Sequence, residues 1–154
     1  MSQPSVLFVC LGNICRSPLA EAALRVEAVA AGVAVTIDSA GTGGWHAGDP
    51  PVPRAQAEAK RRGIDISAYR ARQVTEDDFL HFGQIFALDH QNLRDLENIA
   101  PRRRTATLRL LMDLVPGREG TAVIDPYYGS QEDFAQTWDD VSFAAKRLVA
   151  RMMR

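Results

Sequence analysis

Five residues, Leu11-Gly12-Asn13-Ile14-Cys15, separate Cys10 from Arg16, and Ser17-Pro18 follow directly. A backbone of that length can curl so that successive N–H groups face one centre. The result is an anion nest that runs into the positive end of a helix dipole. A thiol at its base meets those N–H groups and the Arg16 guanidinium, the conditions that favour a thiolate. Facing a bound phosphoryl group, that sulfur is a nucleophile. The planar Arg16 fork can hold two equatorial oxygens through an in-line displacement, which a lysine cannot copy. Gly12 permits backbone angles closed to other residues, and Asn13 tolerates the left-handed region. Ser17 can donate its hydroxyl to the sulfur when sulfur becomes the leaving group. Leu11, Gly12, Asn13, Ile14, Cys15 and Ser17 are therefore expected to surround the bound group.

Such a displacement needs a proton donor for the leaving oxygen. Asp125, in Ile124-Asp125-Pro126-Tyr127-Tyr128-Gly129, is the candidate. Its carboxyl group can serve as general acid and then as general base for water. Pro126 fixes the backbone after it, and Tyr127 and Tyr128 can wall a cleft. The same segment also reads as an ordinary Asp-Pro turn with two packing tyrosines.

Secondary-structure signals say which elements must position these groups. Val6 to Val9 reads as a strand buried on both faces. Ser17 as N-cap, Pro18 at the first helical position and Gly32 as a stop bound the helix that follows. Val33 to Asp38 alternates as a second strand, and a glycine-rich loop, 40–51, succeeds it. A second helix spans Pro53 to Gly63, and Thr75 caps a short helical turn reaching Phe82. Ile85 to Leu88 is the third strand, followed by helices at Asn92 to Ile99 and Thr107 to Val115. Ala122 to Ile124 is expected to be the fourth strand, which would leave Asp125 at its end. Phe134, Trp138, Val141, Ala145, Leu148 and Met152 make the apolar stripe of a carboxyl-terminal helix. Alternating strands and helices imply an α/β fold: a parallel sheet with helices on both faces and ligands beyond the carboxyl ends of the strands.

The 154 residues suit one domain, expected over 1–154. With 46% hydrophobic and 24% charged residues the composition is that of an ordinary globular chain. A formal net charge of −1 offers no field to gather a polyanion, so nucleic acid is not an expected partner. The short apolar run near the start has no basic segment before it, and no stretch approaches the ~18 apolar residues of a membrane span. The expectation is a cytoplasmic protein with no membrane partner. Two cysteines are too few for a disulfide framework or for a zinc site of thiolates alone. Cys15 has two readings, a disulfide partner that shields Cys10 from over-oxidation or a small buried filler. His46, His81 and His90 have no metal-ligand spacing and are assigned solvated or capping roles; neither metal nor other cofactor is expected.

The stretches CLGNICRSP and DPYYG resemble those of the low-molecular-weight protein tyrosine phosphatase family. Ile37-Asp38-Ser39-Ala40, Ala71-Arg72-Gln73-Val74-Thr75 and Asn92-Leu93-Arg94-Asp95-Leu96 are similar to that family too, so the resemblance spans nearly the whole chain. It implies Cys10 as nucleophile, Arg16 as transition-state binder, Asp125 as general acid, and Asn13 with Ser39 as braces of a phosphate-binding loop after the first strand. It also implies a single-domain four-stranded parallel sheet in the order 2-1-3-4. Trp45 with Tyr127 and Tyr128 would line the slot for a phosphotyrosine ring. Depth gives selectivity there, because a long phenyl phosphate reaches the sulfur and a short phosphoserine does not. Trp45 could alternatively pack beneath its own loop. Many relatives carry a histidine before the Ala-Arg-Gln stretch that braces the loop asparagine, and Ile66-Ser67-Ala68-Tyr69-Arg70 offers none.

The implied activity is hydrolysis of phosphotyrosine through a phosphocysteine intermediate. Expected partners are tyrosine-phosphorylated proteins and, with them, a tyrosine kinase; the chain is expected to be a monomer. Three other functions compete. Arsenate reduction needs a resolving thiol, and no cysteine follows Cys15. Phosphoarginine hydrolysis goes with a threonine where this loop has Ile14. A non-catalytic phosphopeptide-binding module would need neither thiolate nor acid.

Overall fold

Val6 to Cys10 are all buried because the first strand, β1 (Ser5–Cys10), lies in the interior of a sheet with helices above and below. Its residues alternate between two cores. Val6, Phe8 and Cys10 face one cluster, and Leu7 and Val9 face the other. The computed structural model describes residues 3–154; Met1 and Ser2, part of the expected domain, lie outside the described residues.

The elements follow as α1 (Arg16–Ala31), β2 (Thr36–Gly41), α2 (Pro53–Arg61), α3 (Asp78–His81), β3 (Gln84–Ala87), α4 (His90–Ile99), β4 (Thr107–Leu110), a 3₁₀ turn (Leu111–Leu114) and α5 (Gln131–Met152). The sheet is parallel throughout, in the order β2-β1-β3-β4. Residues of α1, α2 and α5 complete the first core, and Phe79 and Leu96 of α3 and α4 complete the second. This is the α/β architecture and strand order expected. Among the described residues, no helix is long and apolar enough to cross a membrane.

Three expectations about the strands are corrected. Thr107–Leu110, expected to be helical, is the edge strand β4, and only Leu111–Leu114 winds into a helical turn. Ala122 to Ile124 joins no strand; the Val123 N–H donates to the carbonyl of Leu88, one residue beyond β3, at 2.8 Å. Asp125 therefore sits in the connection to α5 rather than at a strand end. The second strand begins at Thr36 and runs to Gly41, because pairing with β1 from Ser5↔Thr36 to Cys10↔Gly41 outweighs the alternation at Val33 to Val35.

At the start of α1 the N-cap is Cys15, without a side-chain capping bond, so Ser17 and Pro18 stand inside the first turn. Ser17 is not the cap because its hydroxyl is used elsewhere. The carboxyl-terminal helix is as expected, and it opens with a capping box between Ser130 and Asp133.

Candidate active site

The loop from Leu11 to Cys15 leaves β1 and enters α1 with its two backbone edges treated differently. Carbonyls at its entry and within it are fastened to the fold: Thr42 N–H donates to Cys10 O, Gly43 N–H to Leu11 O and Val52 N–H to Ile14 O, at 2.9, 3.0 and 2.9 Å. Among the described residues, no N–H of Leu11, Gly12, Asn13, Ile14 or Cys15 donates to a protein acceptor. Five adjacent donors without protein acceptors make the kind of concavity that binds an anion.

Asn13 is the loop's left-handed residue, with φ at 59°, and Gly12 is not among the residues with positive φ. The lack of a side chain at Gly12 serves another purpose: a Cβ there would meet His46 Cδ2 at 3.0 Å. Gly41 at the end of β2 is the tighter glycine. A Cβ on it would lie 2.6 Å from the Leu11 carbonyl oxygen, so only glycine lets the strand pass this close to the loop.

Behind the loop runs a buried polar chain. Asn13 Nδ2 donates to Ser17 Oγ at 2.8 Å and to Ser39 Oγ at 3.0 Å, and Asn13 Oδ1 accepts the Arg72 N–H at 3.0 Å. Ser39 Oγ donates to Glu21 Oε1 at 2.7 Å, and Arg25 holds Oε2 of the same carboxyl at 2.8 Å. Since Asn13 occupies a lone pair of Ser17 Oγ, the hydroxyl proton is free for Cys10 Sγ, 3.0 Å away. Burial pushes the Glu21 carboxyl above its ordinary value despite its bonds to Ser39 and Arg25. The missing histidine is thus replaced by several contacts: Ser39, the Arg72 backbone and the Glu21–Arg25 pair.

Arg16 is buried and held from two sides. Nη1 donates to Asp89 Oδ2 at 2.9 Å and to the Val123 carbonyl at 2.8 Å, and Nη2 lies 3.8 Å from Asp125 Oδ2. Asp89 also N-caps α4, its Oδ1 accepting the Asn92 N–H at 2.7 Å. Neither Asp89 nor the Val123 carbonyl was foreseen. Asp89 stands just beyond the end of β3, where the strand-end rule points.

A cleft of about 240 Å³ opens over the loop. It brings together Cys10, Arg16 and Asp125 with Leu11, Gly12, Ile14, Cys15, Trp45, Tyr127 and Tyr128. Asn13 and Ser17, also expected to contact the ligand, do not line it; they belong to the buried chain beneath, as does Ser39. Trp45 stays largely exposed rather than tucked under its loop, and Tyr127 and Tyr128 meet edge to face at 4.8 Å between ring centroids. His46, assigned a solvated or capping role, lines the cleft instead, with Nδ1 3.2 Å from Asp49 Oδ2. Its place beside Trp45 in the glycine-rich loop was the available signal. Burial, with the neighbouring Cys10 and Asp125 charges, pushes the Cys15 thiol up to about 12, so Cys15 stays a neutral thiol at neutral pH.

A strand, an anion-binding loop with a buried cysteine, an arginine at the head of the next helix and an overhanging carboxyl define a class of cysteine-dependent phosphoryl-transfer enzymes. Comparison with known proteins narrows the class. The profile of the family described as "Low molecular weight phosphotyrosine protein phosphatase" matches residues 5–154. The chain is 44% identical over 135 residues to the low molecular weight protein-tyrosine-phosphatase YfkJ of Bacillus subtilis, covering 86% of each. To the low molecular weight phosphotyrosine protein phosphatase of Homo sapiens it is 44% identical over 134 residues, covering 84% of each. The crystal structure of YfkJ superposes with a TM-score of 0.91, covering 99% of this chain and 96% of that one, at 39% identity. A Drosophila arginine phosphatase superposes at 0.89 with 32% identity, covering 95% and 96%. The chain belongs to the low molecular weight phosphotyrosine protein phosphatase family.

Proposed function

We propose that this chain, as one domain over 1–154, hydrolyses phosphotyrosine in proteins through a phosphocysteine intermediate. The observation that supports it most is that Cys10, Arg16 and Asp125 line one cleft over a loop with five adjacent N–H groups without protein acceptors among the described residues. In the first step the Cys10 thiolate attacks phosphorus. The P–S bond forms as the P–O bond breaks, and Asp125 gives its proton to the departing tyrosine oxygen. Arg16 holds two equatorial oxygens through the displacement while the loop N–H groups hold the charge. In the second step Asp125, now a carboxylate, takes a proton from water. The water oxygen bonds to phosphorus, and the sulfur leaves as a thiolate that accepts the Ser17 hydroxyl. Leu11, Gly12, Ile14 and Cys15 shape the cup and Trp45, Tyr127 and Tyr128 its walls, while Asn13 and Ser39 brace it from behind.

The substrates are tyrosine-phosphorylated proteins, which a tyrosine kinase must supply; the chain acts as a cytoplasmic monomer, without nucleic acid or membrane. Ile14 in the cleft wall, in place of a threonine, favours an aryl ester over phosphoarginine. The test is phosphate release from matched peptides carrying phosphotyrosine, phosphoserine or phosphoarginine, with wild type and Cys10→Ser. Phosphotyrosine is expected to turn over fastest, and only with Cys10 present. Faster phosphoarginine turnover would reassign the substrate, and phosphopeptide binding without phosphate release would make the chain a binding module.

A further inference from the structure

The loop that carries Asp125 is exposed over most of its length, yet it enters the cleft at a defined height. Upstream it is fixed at Val123, between the Leu88 carbonyl and Arg16. Downstream its own bonds are local: Tyr127 N–H donates to Asp125 Oδ1 at 3.1 Å and Gly129 N–H to the Pro126 carbonyl at 2.8 Å. Among the described residues, one side chain from elsewhere donates to the carbonyls of this half, while Arg16 Nη2 faces Asp125 Oδ2 at 3.8 Å. Arg54, in the first turn of α2, donates from Nη2 to the Tyr127 carbonyl at 2.6 Å and from Nη1 to the Gly129 carbonyl. Its guanidinium lies 5.0 Å from the centroid of the buried Phe134 ring of α5, and its own carbonyl accepts the Gln131 side chain at 3.0 Å. Arg54 itself is not part of the cleft wall.

Tyr127 is the link. Its N–H holds one oxygen of the Asp125 carboxyl, and its carbonyl is held by Arg54. We propose that Arg54 is a positioning residue for the catalytic acid, fixing the height and aim of Asp125 through the Tyr127 backbone. The fork geometry matters here, because one planar group must meet two carbonyls two residues apart while stacking on a ring, which an ammonium cannot do. The inference rests on the reading of Asp125 as the acid that protonates the leaving oxygen.

The test is the dependence of kcat/KM on leaving-group basicity, measured from phenyl phosphate to dinitrophenyl phosphate. Wild type should vary little along the series, and Asp125→Asn should fall steeply toward the basic phenol. Arg54→Met keeps much of the apolar stem and loses the fork. It should lose about tenfold on phenyl phosphate, a share of the 10²–10⁴-fold that general acids supply, and only about twofold on the dinitrophenyl ester. Arg54→Lys, which retains the charge, should fall between Met and wild type. Competitive inhibition by inorganic phosphate should change by less than about threefold in both, since the cup does not depend on this grip. An Arg54→Met series parallel to wild type, or a loss equal on all esters, overturns the role of Arg54. A flat series for Asp125→Asn overturns instead the reading of the acid itself. If the Met variant does not fold, the Lys variant decides by the same slope.

Discussion

The two sides of the cleft are mounted by different means. The cup, from Cys10 to Ser17, is built into the fold: Asn13, Arg16 and Ser17 are buried, the carbonyls of Cys10, Leu11 and Ile14 are tied to the connection between β2 and α2, and the polar atoms behind it are linked as far as Glu21 and Arg25. The acid loop is surface. Ile124 is 81% and Tyr128 96% exposed, and the segment hangs from Val123 at one end and Arg54 at the other. The difference matches the demands of the chemistry. Stabilising charge that builds on a phosphoryl group needs donors already in place, whereas the acid side must let an aryl ring in and its product out.

Perturbing the cup should cost most. Cys10→Ser is expected to lower phosphate release by about 10⁴-fold or more, since removing a nucleophile removes the covalent route. Arg16→Lys should lose about 10²–10³-fold in kcat/KM, because the fork that meets two oxygens becomes a point charge. On the loop side, Asp125→Asn should cost about 10²-fold on phenyl phosphate and far less on an activated ester. Equal losses from Arg16→Lys and Asp125→Asn on every ester would erase the distinction between the two sides.

Smaller effects sharpen it. Gly41→Ala, which drives a methyl into the Leu11 carbonyl, should destabilise the fold by about 1–3 kcal/mol in urea titrations. Its weaker phosphate binding should be visible in inhibition constants. The least effect is a slope. Burial raises the Glu21 carboxyl, so the stability this group contributes is fully present below its ordinary value of 4.5 and declines as pH rises through the higher folded value. Unfolding free energies measured on either side of that range should show wild type losing ground to Glu21→Gln as pH increases; a difference independent of pH would contradict the raised value.

How much of this could be read in advance depended on distance along the chain. The cup is a local object: nucleophile, anion loop and guanidinium lie within Cys10 to Arg16, and a buried strand followed by a helix is legible from apolar runs and a glycine stop. The supports of that cup come from afar. Asp89, Val123, Arg72 and Glu21 reach it only once the sheet is assembled; Asp89 has a local signal in its place just past β3, and nothing in the neighbourhoods of the other three announces the contact. β4 was hidden for a related reason. Thr107–Leu110 is a four-residue edge strand, buried only toward its end, and it runs straight into the apolar Leu111–Leu114, which together imitate a helical stripe. Ala122 to Ile124 has the β-branched character of a strand but pairs with none, its Val123 N–H donating to the carbonyl of Leu88 just past β3. Arg54 was unreadable because its partners are carbonyls, which carry no residue identity.

The claim beneath all of this is that the Cys10 sulfur becomes bonded to phosphorus during turnover. Rapid quenching of the wild-type enzyme with a phosphotyrosine peptide, followed by mass spectrometry under conditions that preserve thiophosphate esters, tests it directly. The account predicts a phosphate adduct on the peptide containing Cys10, formed and consumed at rates compatible with turnover and missing in Cys10→Ser. Sustained phosphate release with Cys10 unmodified at every quench time would contradict it.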